Sequence, residues 1–191
     1  PQPEWLGHRA LTGQTLLVHA EQGFGDTLQF CRYAPLLRDL GATVLLEVQP
    51  PLKRLLQGLE GTRQVLARGE PLPAFDCHCP LLSLPGALQT TLETLPAQVP
   101  YVCADPALAA QWADRLGPRQ GLRVGLVWSG NPTHLNDHNR SALLAEYADL
   151  LALPCQFVSL QKVLRKADQE ELHRQPRLLH FGERLADFAD T

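Results

Sequence analysis

The 191-residue chain contains no methionine, not even at its first position, and it closes on Ala-Asp-Thr within a helical pattern. Both features lead to the expectation of a piece cut from a longer polypeptide. No apolar run approaches the roughly 18 residues that span a bilayer, and no charged-then-apolar leader opens the chain. The expectation is therefore a cytoplasmic protein with no transmembrane segment and no secretory signal. Charge of one sign is nowhere concentrated, and the net charge is only -3. That gives no electrostatic footprint for nucleic acid or an anionic membrane surface. No internal repeat with a period of about 20 to 50 residues is visible, so the chain is not itself a solenoid. The five cysteines are an odd set scattered through apolar surroundings, as expected of reduced thiols rather than a disulfide framework. Cys77-His78-Cys79 has metal-ligand residue types, but neighbours on a strand point to opposite faces and no second ligand pair follows at zinc spacing. No metal site is expected. With 45% hydrophobic and 19% charged residues the chain has the balance of a globular protein, long enough for one or two domains.

Short apolar runs alternate with helical stretches, the order that builds parallel sheets covered by helices. A strand is expected over Thr15–Ala20, a helix from about Thr27 to Leu40 closed by Gly41, and a second strand over Thr43–Val48. Pro50 and Pro51 open a short helix, and further short strands are expected at Val65–Ala67 and Phe75–Cys79. Pro96–Pro106 carries three prolines and interrupts the periodicity, which places a domain boundary there. A helix over Pro106–Leu116 then leads to the most strand-like run, Leu122–Trp128, followed by a polar loop to Ser141. The remainder predicts a helix over Leu143–Leu153, a strand over Gln156–Leu160, a helix over Lys166–Arg174, a strand over Leu178–Phe181 and the start of another helix. The expected fold is α/β, with a Rossmann-like domain over residues 1–105 and the start of a second, truncated one over 106–191.

Two loops carry candidate chemistry. Glu21-Gln22-Gly23-Phe24-Gly25-Asp26 leaves a strand at its carboxyl end, where open parallel sheets place ligands, and enters a helix whose free N–H groups suit an anion or hydroxyl. Asp26 is a candidate base, yet with Gln29 three residues on it also forms a capping-box-like pattern, and a capping carboxylate is a weaker base. The same loop meets only part of a dinucleotide fingerprint: Gly23 and Gly25 are present, Glu47 stands near the ribose-binding position, but Leu28 replaces the third glycine. The second loop, Trp128–Ser141, concentrates small, hydrogen-bonding and basic side chains. Arg140 suits a phosphate, with Ser129, Asn131 and Ser141 able to satisfy its remaining oxygens. The plainer reading is a solvated loop of Asn-Pro and Asn-Asp turns. Lys162, beyond the next strand, offers a further positive charge or is simply solvated.

EQGFGDTLQFCRYAPLLRDLGATVLLEVQPPLKRLL, FDCHCPLLSLP, RVGLVWSGNPTHLNDHNRS and FVSLQK together resemble the glycosyltransferase part of bacterial tetratricopeptide-repeat (TPR) proteins. That part is itself similar to the ADP-heptose:lipopolysaccharide heptosyltransferase family. The resemblance implies a GT-B fold of two facing Rossmann-like domains, with the TPR repeats upstream. It implies acceptor binding at Gln22, Gly23, Phe24 and Gly25 with Asp26 as the base that takes the acceptor hydroxyl's proton. Donor binding falls on Ser129, Gly130, Asn131, Arg140, Ser141 and, more loosely, Lys162. Inverting transfer from a nucleotide sugar needs such a base and positive or N–H donors on the departing diphosphate. No metal or other cofactor is then required, in keeping with the lack of an Asp-x-Asp sequence. The acceptor class, whether glycan, lipid or protein, is left open. The sequence stops before the D-T-x-x-x-H segment that cradles the diphosphate in relatives, so the isolated chain is expected to be inactive. A non-catalytic interaction module of a repeat scaffold and a dinucleotide-binding domain are the alternatives.

Overall fold

A computed structural model describes residues 2–191 as two compact α/β units. The first runs to Asp105 and includes Asp187–Ala189, and the second comprises Pro106–Ala186 with Asp190–Thr191.

In the first unit β1 (Thr15–His19) leads through α1 (Phe24–Phe30) and α2 (Ala34–Asp39) to β2 (Thr43–Val48). Next come α3 (Pro50–Leu56), β3 (Gln64–Ala67), β4 (Cys77–Pro80) and the short α4 (Leu84–Ala87). All pairings are parallel and the strand order is β3-β2-β1-β4. The chain thus builds outward from β1 to β3, then returns to lay β4 against the other side of β1. This reversal creates a switch point between β1 and β4, where loops diverge and leave a crevice at the carboxyl ends of the strands. Alternation puts Leu16, Val18, Val44, Leu46, Cys77 and Cys79 on one face, packed with Leu37, Leu52, Leu56, Leu81 and Leu84 of the helical layer. Each such leucine, removed from water, contributes about 1.5–3 kcal/mol. Leu17, Leu45 and Leu66 form a smaller cluster on the opposite face with Phe75.

The helix expected over Thr27–Leu40 begins earlier, at Phe24, and is interrupted by a 3-10 turn over Cys31–Tyr33. Pro35 has no N–H to give to the preceding turn, so α2 restarts around it. Gly41 ends α2 at φ 86°, a left-handed conformation open to glycine. Gly61 is more constrained, since at φ +85° a Cβ would lie 2.4 Å from the Ala34 carbonyl carbon.

The second unit contains α5 (Pro106–Leu116), β5 (Arg123–Leu126), α6 (Ala148–Leu151), β6 (Gln156–Ser159), α7 (Lys166–Arg174) and β7 (Leu178–His180). Its sheet is parallel, in the order β5-β6-β7. Leu126, Trp128, Leu144, Leu151, Phe157 and Leu178 form the core. The strand expected to reach Trp128 stops at Leu126, because its partner β6 ends at Ser159 and the Trp128 N–H turns to Gln161. The helix expected over Leu143–Leu153 is shorter, a 3-10 turn over Leu144–Tyr147 and then α6, with Pro154 close behind. Beyond β7 the further helix is only two 3-10 turns, Gly182–Arg184 and Phe188–Asp190. All five cysteines are free thiols. Among the described residues no helix is long and apolar enough to cross a membrane.

Candidate functional site

The first loop leaves β1 at the switch point and is fixed residue by residue. Glu21 spans the crevice and accepts the N–H groups of Leu81 and Leu82, both at 3.1 Å. The Gln22 carbonyl accepts Gln49 Nε2 at 2.7 Å. The buried Thr27 hydroxyl lies 3.0 Å from Gln49 Oε1 and 3.2 Å from the Gly23 carbonyl, so it ties the start of α1 to the end of β2. Arg68 donates to the Ala20 carbonyl. Asp26 is the third residue of α1 and accepts the Gly23 N–H at 2.9 Å. It caps by reaching back to Gly23, whereas the sequence pattern put it at the N-cap with Gln29 as its partner. The reason is the earlier start of the helix, since Phe24 and Gly25 already wind. Gln22, Gly23, Phe24 and Gly25 are exposed, Asp26 is half-buried, and the Phe24 ring meets Phe188 edge-on at 5.1 Å.

Two histidines, His19 just before this loop and His78 on the neighbouring strand, meet in a pair not apparent from the sequence. His19 ends β1 and His78 lies on β4, with Nε2 and Nδ1 3.3 Å apart. One ring must donate while the other accepts, and a second proton would put two positive charges in contact. Burial, followed by the His78 charge, lowers the His19 pKa from its ordinary 6.5, while Glu21, Glu47 and Glu4 pull it upward. The pair lies on one face of the sheet, His19 at the end of β1 and His78 in register with Leu17. Its signal in the sequence was faint: single histidines on two strands about sixty residues apart.

The loop after β5 has a closed base. Ala142 N–H donates to the Trp128 carbonyl at 2.8 Å. The buried Asp168 carboxylate takes the Trp128 indole N–H at 3.0 Å and the Leu144 N–H at 2.8 Å. Gln161 accepts the N–H groups of Trp128 and Ser129 and returns its amide to the Ser129 carbonyl at 2.9 Å. Within the loop, Gly130 N–H donates to Ser141 Oγ at 3.0 Å, and Ser141 donates to Asp137 at 2.6 Å. Arg165 Nη2 reaches both Asp137 oxygens at 2.9 and 2.7 Å, Ser141 Oγ at 3.1 Å and the Gly130 carbonyl at 3.4 Å. The Ser141 hydroxyl above all, and then the Arg165 guanidinium, hold the Asp137 carboxyl below the usual aspartate range against its partial burial.

The structure thus gathers Gln22 to Asp26 into one turn, and Ser129, Gly130 and Ser141 into one network. Asn131 lies beside that network, its side chain accepting the Thr133 N–H and hydroxyl. Arg140 stays outside it: its backbone N–H donates to the Asp137 carbonyl, while its guanidinium is exposed and donates no hydrogen bond among the described residues. Lys162 is exposed and directed to the Ala186 carbonyl. The cation wired into the loop is Arg165. Gln49, Gln161, Arg165 and Asp168 escaped the sequence reading because each acts on a partner more than twenty residues away. Among the described residues no group of three or more His, Cys, Asp or Glu side chains is placed to hold a metal ion.

The fold defines an α/β protein with a parallel sheet in each unit. Protein FlbA of Caulobacter vibrioides is 28% identical over 149 residues, an alignment covering 67% of this chain and 24% of that protein. The chain therefore spans about a quarter of that relative's length. No family model and no solved structure matches the chain.

Proposed function

We propose that the chain is part of a metal-independent, inverting glycosyltransferase of the GT-B type, cytoplasmic and preceded by TPR repeats in its parent protein. Asp26 removes the proton from an acceptor hydroxyl presented at Gln22–Gly25, and the loop carrying Ser129, Gly130, Asn131, Arg140 and Ser141 receives the diphosphate of a nucleotide sugar. Lys162 adds charge at the same strand edge. The observation that supports this reading is that in each unit the first strand, β1 or β5, is followed by a loop at the carboxyl edge that bears the residue types the reaction needs. A carboxylate stands on the first loop and hydroxyl, N–H and cationic groups on the second, which matches general-base attack and charge stabilisation at a departing diphosphate.

The test is calorimetric titration of a panel of nucleotide sugars into the parent protein and into this chain. One donor should bind the parent in the micromolar range and this chain only in the millimolar range, since this chain spans about a quarter of the relative it matches and the rest of the parent would supply part of the enclosure. Failure of every nucleotide sugar to bind the parent would sink the reading. The Asp26 cap on Gly23 and the internal use of the Ser129 and Gly130 N–H groups favour a second reading, a non-catalytic interaction module on a repeat scaffold.

A further inference from the structure

Among the described residues two buried side-chain atoms have no hydrogen-bond partner, the Ser129 hydroxyl oxygen and Arg165 Nε. Both belong to the loop network after β5. Ser129 is 6% exposed, and its neighbour Gly130 is bonded through its carbonyl to Arg165 and through its N–H to Ser141. Buried polar groups in native proteins almost always have partners, and orphans concentrate where another group completes them. The Arg165 guanidinium is also used unevenly. Four acceptor atoms crowd Nη2, which has two protons, while the single Nε–H faces no acceptor. A guanidinium and a carboxylate pair best through two parallel N–H···O bonds from two nitrogens. Asp137 puts both of its oxygens on one nitrogen instead, bent there by its bond from Ser141.

We propose that Arg165 is an oxyanion-binding residue for a phosphate group, and that in the ligand-free chain Asp137 covers it, so that phosphate binds by exchange with the Asp137 carboxylate. The proposal rests on the donor-loop reading only in taking a nucleoside diphosphate as the natural source of that phosphate. A phosphate suits the vacated place better than a carboxylate. It can take Nε and Nη2 together with two oxygens and still offer a third to the Ser129 hydroxyl, and the arginine fork fits that spacing. The loop thereby carries its own anion, which lifts away when a stronger one arrives and is returned to the guanidinium when that ligand departs.

The experiment titrates inorganic pyrophosphate, and separately nucleoside diphosphates, into this chain by calorimetry. Asp137→Asn should bind pyrophosphate at least tenfold more tightly than the unsubstituted chain, and Arg165→Gln should lose binding. Asp149→Asn, which removes an exposed carboxylate elsewhere in the same unit, should stay within about twofold. In the unsubstituted chain, saturating pyrophosphate should raise the pKa of the Asp137 carboxyl carbon signal in NMR, because Asp137 loses Arg165. An unmoved Asp137 signal overturns the exchange whether or not the variants keep their loop. Equal affinity in the Asp137→Asn variant also overturns it, and the donor reading survives if nucleoside diphosphates still bind. Exchange with pyrophosphate but no gain from an attached nucleoside supports the proposal, and the donor reading is then decided by the titration of the parent protein. No binding of pyrophosphate by any variant overturns the proposal, while the donor reading then stands or falls on nucleotide-sugar binding to the parent protein.

Discussion

Replacing Asp168 by alanine should unfasten the loop after β5 at its base. The carboxylate is 1% exposed and holds two donors, the Trp128 indole N–H at 3.0 Å and the Leu144 N–H at 2.8 Å. Hydrogen bonds to a charged group are worth about 1.5–3 kcal/mol each, and both donors would be left buried without an acceptor. That sets a gross loss of about 3–6 kcal/mol, and release of a buried charge returns part of it, leaving about 2–4 kcal/mol. Against a total of about 5–15 kcal/mol for a domain, the loss is large. Urea unfolding followed in the near-ultraviolet circular dichroism of the tryptophans should show the second unit melting earlier while the first keeps its midpoint. Hydrogen exchange at the Leu144 amide should accelerate. Asparagine in place of Asp168 should fall between, because it keeps one acceptor and turns an NH2 group toward the other donor. A loss under about 1 kcal/mol in the alanine variant, with Leu144 still protected, would refute the reasoning.

Asp26→Asn in the parent protein should lower kcat by about two to four orders of magnitude, the usual span for a general base. Its thermal midpoint should hold, because the asparagine oxygen can still accept the Gly23 N–H; a fallen midpoint with unchanged specific activity would assign Asp26 to the cap alone. Arg140→Ala should weaken nucleotide-sugar binding without changing stability, since the guanidinium is exposed and supports nothing in the fold; equal loss of acceptor binding would contradict that. His19 and His180 both have their pKa lowered from 6.5, burial being the leading cause in each. Their neutral forms are therefore favoured by folding, and stability present above pH 6.5 should be lost as pH falls through the lower folded values. Denaturant midpoints between pH 8 and 5 should show this decline, and His19→Gln should flatten it in the first unit only.

Sequence pattern and final structure agree most closely where structure is local. The helices at Pro106–Leu116 and Lys166–Arg174 and the strand at Thr43–Val48 have the bounds their periodicity predicts. The helix after the first loop differs from its pattern twice: Phe24-Gly25-Asp26 reads as loop yet winds as helix, and Pro35 breaks what reads as continuous. Gln49, Gln161 and Asp168 were illegible for a different reason. A glutamine at a strand end is compositionally ordinary until the topology delivers a loop carbonyl or amide to it. The basic residue next to the second loop was legible as a type, but the sequence pointed to Arg140, and only the packing shows that Arg165 is tied to Asp137.

The closed base of the Trp128–Leu144 loop has an evolutionary consequence. Its two ends are clasped by Asp168, Gln161 and the Ala142–Trp128 bond, so the strands behind it do not sense what its tip contains. Substitutions at exposed Pro132, Thr133, Leu135 or Asn136 alter the surface the loop presents at little expense to the sheet. Drift at the tip is therefore separable from the fold, while Asp168 and Gln161 stay under a constraint set by the packing at the base.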